Sequence, residues 1–98
     1  MNMQNLMMQA KKMQKDIEKA QSELENNVYE GKSQLVTVRV KGNGKLDSVK
    51  IEMDEISSDD KEILEDMFLV AMNNAIEKIE KEKEQKFGKY GPMFNGLM

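Results

Sequence analysis

The sequence predicts an α+β fold in the order long helix, small antiparallel three-stranded sheet, long helix (α-β-β-β-α). Three observations predict it. Apolar residues recur at helical spacing from Met3 to Leu24, alternate with polar ones from Val36 to Met53, and return to a broad helical distribution from Ile63 to Ile79. With 98 residues there is room for one domain, 1–98.

The first helix is expected over about residues 4–26. Met3, Leu6, Ala10, Met13, Ile17, Ala20 and Leu24 follow one another at spacings of three and four, an unbroken heptad seam. Lys, Glu and Gln fill most other positions and favour helix, and no Gly or Pro interrupts the run. Such a seam packs either against a neighbouring element of its own chain or across a subunit interface. The length of the rod favours the second, because a small sheet covers only part of it. Ala10, Met13, Ile17, Ala20 and Leu24 are therefore candidates for a dimer interface.

The strands are expected within residues 28–53. Val36, Val38 and Val40 alternate with Thr37, Arg39 and Lys41, the pattern of a half-buried strand. Gly42-Asn43-Gly44 then supplies residues that tolerate positive φ in a tight hairpin. Val49, Ile51 and Met53 resume the alternation, while Leu46 is out of phase with them, which predicts a bulge or a wide turn. A short first strand over residues 28–32, with a bend at Gly31, makes three strands, since an isolated hairpin is marginal.

The second helix is expected over about residues 60–86. Two capping registers compete at its start, Asp59 with Glu62 and Ser57 with Asp60. Its first half is apolar on more than one stripe, so it is expected to face the sheet on one side and a partner on the other, with Phe68 and Met72 at the interface. Residues 80–86 contain no apolar side chain, and this polar half is expected to protrude into solvent. Asn73 and Asn74 are poor helix-interior residues, and at least one is expected to bond the sheet or a partner. Gly88, Gly91, Pro92 and Gly96 argue against a helix in the segment 87–98, which is expected to be flexible or docked on another surface.

Composition excludes most chemistry. There is no Cys, no His and no Trp. Disulfides, thiolate metal sites and His-based proton transfer are therefore absent, and the few aromatics make base-stacking platforms a poor expectation. No nucleotide-binding, zinc or catalytic-triad pattern is present, and the acidic pairs Asp59-Asp60 and Glu65-Asp66 do not converge on a pocket. No catalytic residue, metal site or cofactor is expected. No run of apolar residues is long enough for a membrane span, and the Met-rich start does not read as a signal peptide, so the cytoplasm is the expected location.

Charge is unevenly distributed. Residues 1–41 carry seven basic and five acidic side chains, residues 42–66 three and nine, and residues 67–98 five and four, for a net charge of −3. Any DNA site must then be a local basic patch. Lys11, Lys12, Lys15 and Lys19 share one broad side of the first helix, Arg39 and Lys41 share the polar face of a strand, and Lys78 and Lys81 extend the set on the second helix. Lysines so placed serve either as a solvated face or as contacts to DNA phosphates.

Taken together these stretches resemble the YbaB/EbfC family of bacterial nucleoid-associated proteins. The resemblance is carried by residues 36–41 with Gly42-Asn43-Gly44, by Val49-Lys50-Ile51, and by Asp59-Asp60-Lys61-Glu62-Ile63-Leu64-Glu65-Asp66. Above all it is carried by Ala71-Met72-Asn73-Asn74-Ala75, and Phe87-Gly88 with the later Gly, Pro and Leu fits as well. Two departures occur: Asn74 stands where the family often has Asp, and the Gly-rich approach to the main strand is reduced to Gly31-Lys32-Ser33-Gln34-Leu35. The resemblance implies a homodimer with protruding helical arms that binds double-stranded DNA with little sequence preference. It implies a place in the nucleoid, with no enzyme activity and no cofactor. The competing expectation is a dimeric scaffold that binds other proteins, which the acidic segment 42–66 favours.

Overall fold

Val36, Val38 and Val40, the alternating valines of the central strand, are fully buried, as are Ala71 and Ala75 further along the chain. The computed structural model describes residues 2–88, and in it the chain runs α1 (Met3–Asn26), β1 (Val28–Ser33), β2 (Val36–Lys41), β3 (Leu46–Ile51), a 3-10 turn (Ser58–Asp60) and α2 (Lys61–Phe87). The sheet is antiparallel in the order β1-β2-β3. One face of β2 is covered by Met67, Ala71, Ala75 and Ile79 of α2. The α-β-β-β-α order is the expected one.

Small residues set how closely α2 approaches. Gly31 is not at a bend. It lies inside β1 opposite Val38 and is buried. A Cβ there would overlap the carbonyl oxygen of Ala71 and lie 2.7 Å from the Ala75 nitrogen. The absent side chain is what lets the helix backbone rest on the strand. Gly42 plays the same part at the end of α1, where a Cβ would overlap the Leu24 carbonyl. Its N–H donates to the Asn27 carbonyl at 3.0 Å.

The turns follow their local chemistry. Gln34 turns the β1–β2 hairpin at φ 49°, a left-handed conformation that costs a residue with a Cβ. Gly44 takes φ 89° in the second turn, where the Asn43 side chain accepts from the Lys45 N–H at 2.9 Å. The expected bulge is present: Leu46 stands opposite Val40 and Ser48 opposite Arg39, leaving Asp47 extra. Of the two capping registers, the chain uses Ser57 with Asp60, whose carboxylate accepts from the Ser57 N–H at 2.9 Å.

Both helices run beyond the sheet, and the molecule measures 70 × 20 × 16 Å. They do not leave it independently. Phe87 belongs to α2 rather than to a tail, and it is buried against Leu24, with Ile17, Ala20 and Tyr29 around the pair. Lys86 bridges Glu23 at 3.4 Å and Glu82 at 3.8 Å. The polar half of α2 therefore lies along the C-terminal half of α1, and side chains Met3 to Asp16 of α1 extend further, all exposed. Gly88 caps α2, and residues 89–98 lie outside the described residues.

Candidate nucleic-acid interface

The basic side chains fall into three separate groups. The first is on α1. At about 100° per residue, Lys11, Lys12, Lys15 and Lys19 span an arc of about 100°, centred roughly opposite the apolar seam. All four are exposed, and none makes an ion pair among the described residues. The quartet extends along about 12 Å of helix. It offers four flexible point charges to a backbone that carries one phosphate per 3.4 Å of each strand.

The second group is on the open face of the sheet. Register places Lys41 beside Val28, Arg39 between Glu30 and Ser48, and Thr37 between Lys32 and Lys50. Lys41 and Val28 apart, these side chains line a shallow depression of about 390 Å³ together with Glu52. Much of its charge is compensated internally: Arg39 Nε lies 3.8 Å from Glu30, and Lys50 lies 3.6 Å from Glu52. Lys32 and Lys50 were not singled out by the sequence pattern. Pairing register is the signal that finds them, because it puts them on the Arg39 face.

The third group is on α2. Lys78 is turned onto β1, its Nζ donating to the Glu30 carbonyl at 2.6 Å. Asn74, one turn earlier, donates to the Lys32 carbonyl at 3.1 Å, and so supplies the bond to the sheet that an Asn in mid-helix suggests. Lys81 is exposed and makes no ion pair among the described residues.

The apolar candidates divide as well. Ala10 and Met13 are exposed on the projecting part of α1, Ile17 and Ala20 are half-buried, and Leu24 is buried within the chain against Phe87. Phe68 is 38% exposed, and Met72 packs partly against the core. Sequence alternation also suggested a buried face for β3. Leu46, Val49 and Ile51 instead stay 42–44% exposed, because α2 lies over β1 and β2 and leaves β3 uncovered. Among the described residues, no group of three or more Asp and Glu is placed to hold a metal ion, and no helix is long and apolar enough to cross a membrane.

The profile of the YbaB/EbfC DNA-binding family matches residues 1–94. A nucleoid-associated protein of Lactococcus lactis subsp. cremoris is 46% identical over 92 residues, covering 92% of this chain and 93% of its own. One from Ligilactobacillus salivarius is 38% identical over 99 residues, covering 99% and 95%. One from Francisella tularensis is 45% identical over 80 residues, covering 81% and 71%. In fold, the chain is similar to an uncharacterized protein of Helicobacter pylori, with a TM-score of 0.66 at 22% identity over 100% of this chain and 99% of that one.

Proposed function

The chain belongs to the YbaB/EbfC DNA-binding family, and from that membership we propose that it is a non-enzymatic, homodimeric nucleoid-associated protein that holds double-stranded DNA through its phosphates. The observation that carries the reading is the lysine quartet of α1. It is exposed, unpaired among the described residues, and set on the part of the helix that projects beyond the sheet. Contacts of this kind neutralise phosphates without reading base edges, so they confer affinity with little sequence preference. Arg39, Lys41 and Lys81 add weaker attraction, the first because it shares its charge with Glu30. Lys78, committed to β1, contributes least. A protein with this activity resides on the nucleoid, in the cytoplasm, and organises DNA or regulates its expression.

A dimer doubles the lysine surface. Two partly uncovered apolar regions offer a joint for it: exposed Ala10 and Met13 with half-buried Ile17 and Ala20 on α1, and exposed Phe68 with half-buried Met72 on α2.

The test is a variant with Lys11, Lys12, Lys15 and Lys19 all replaced by Ala. Ala is a stronger helix former than Lys, so α1 is retained. Affinity for several unrelated duplexes at low salt is expected to fall by about 100-fold or more, and equally for each. Unchanged affinity in a folded variant removes the quartet as the site. A second reading, a scaffold for other proteins, draws on the nine acidic side chains between residues 42 and 66. Lack of duplex binding by the unmodified protein at low ionic strength would favour it.

A further inference from the structure

The apolar seam of α1 is covered at one end only. Near the sheet, Leu24 is buried against Phe87, with Ile17 and Ala20 beside the pair. From Asp16 back to Met3 nothing among the described residues covers it. Met3, Leu6 and Met13 are 46–77% exposed, and Ala10 is exposed with them. The helix is nonetheless complete to its first turn, where the Asn2 side chain accepts from the Gln4 N–H at 3.0 Å. A helical stretch of about 12–15 residues is marginal in water unless one of its faces packs. This arm has the face and lacks the cover.

Charge says what the cover is. Residues 1–10 carry no charged side chain, and Asn2, Met7, Gln9 and Gln14, which flank the exposed seam, are uncharged. Flanking positions set partner choice in paired helices. A second copy of these flanks therefore meets no like charge. A duplex does not fit the seam, which holds no cation. An anionic lipid surface fits poorly as well. A helix lying on lipid keeps its lysines at the rim of the apolar face, where they reach the headgroups. Here the lysines are centred opposite the seam and would point away from the membrane.

We infer that the arms of two copies, from different dimers, pair antiparallel along this seam and so join two DNA-bound dimers. The inference rests on the DNA-binding homodimer proposed above and adds a second contact to it. An antiparallel pair of identical arms is two-fold and self-complementary. With Leu6 against the partner's Ala10, Met3 meets the partner's Met13, and the two-fold axis repeats both layers. Gln9 then faces the partner's Gln9 beside the axis, and Asp16 faces the partner's Asn2. Sliding the pair by one heptad would call on Ile17 and Ala20, which already pack against Leu24 and Phe87. Four layers are too short a joint to hold a homodimer alone. Between dimers gathered on DNA the effective concentration is high, and a weak contact suffices. The paired arms carry their lysines on two outer sides that face apart. Each side is free to take a separate duplex, so DNA is bridged rather than coated.

Bridging is read as capture of a fluorescent duplex by a bead-tethered duplex through the full chain, with affinity for a single duplex measured in parallel. Leu6→Gln with Met13→Gln removes the seam, leaves the charge unchanged and keeps helix propensity. L6Q/M13Q is expected to bind a single duplex within about two-fold of the unmodified protein and to lose capture by about ten-fold or more. Contact is read separately, without DNA. The chain has no Cys, so Gln9→Cys and Met8→Cys each supply one thiol to a short bismaleimide at high protein concentration. Q9C is expected to cross-link between chains, and M8C, on the lysine side, to stay single. Equal cross-linking of the two overturns the pairing. A Q9C cross-link with capture unchanged in L6Q/M13Q places the pairing inside one dimer and overturns the bridge. If Q9C stays single while the unmodified protein, but not L6Q/M13Q, binds phosphatidylglycerol vesicles, the seam is a lipid face and the inference is overturned. If the unmodified protein binds no duplex, the DNA reading and the bridge fall together, and Q9C against M8C still decides whether the arms pair.

Discussion

At Gly31 a missing side chain decides how the helix meets the sheet. A Cβ would run into the backbone of Ala71 and Ala75, and backbone cannot swing aside as a flexible side chain does. Gly31→Ala is expected to destabilise the fold by about 3 kcal/mol, read as a lower midpoint in urea denaturation. Gln34 presents the opposite case. Its φ of 49° is one that Gly adopts freely, so Gln34→Gly is expected to stabilise by about 1 kcal/mol in the same measurement. Sequence exposed these positions unequally. Asn74 stood out because an amide in mid-helix needs a reason, and its bond to Lys32 provides one. Gly31 read as a bend because the helix it accommodates is forty residues further along the chain. Lys78 read as one more cation for the same reason, since no local pattern places its ammonium on a strand carbonyl.

At the level of elements, periodicity carried most of the information. The three-four spacing of α1 and the alternation of β2 each report a burial direction that local sequence repeats every few residues, and the bulge beside Leu46 followed from a break in phase. What periodicity does not report is which element covers which. It marked β3 as half-buried although α2 stops over β2, and it placed Phe87 in a tail because Gly88 follows it. The Leu24–Phe87 contact ties the last turn of α2 to α1, and it is the main apolar link between the two helices. Phe87→Ala is expected to cost about 3 kcal/mol locally. Faster amide exchange across residues 17–26, with the sheet unaffected, would be the signature. Equal loss of protection in the sheet would show instead that the arm and the core unfold as one unit.

For the whole molecule, the decisive quantity is where charge sits rather than how much there is. A net charge of −3 argues against DNA, yet the acidic excess is confined to residues 42–66, which span β3, the connection after it and the first turns of α2, while the lysine quartet lies on α1 of an elongated body. The quartet and its separation from the apolar seam were legible from spacing along a helix. The partial neutralisation of Arg39 by Glu30 was not, because it depends on strand register. On the proposed mode of binding, DNA is held by phosphate contacts from α1, four per protomer and eight per dimer. The most direct measurement is the salt dependence of binding to a mixed-sequence duplex. Eight contacts predict a slope of about −7 in a plot of log affinity against log salt, or a loss of about 10⁴ in affinity between 50 and 200 mM. The quadruple Lys→Ala variant is predicted to flatten that slope, whereas an equally steep slope in the folded variant would contradict the account.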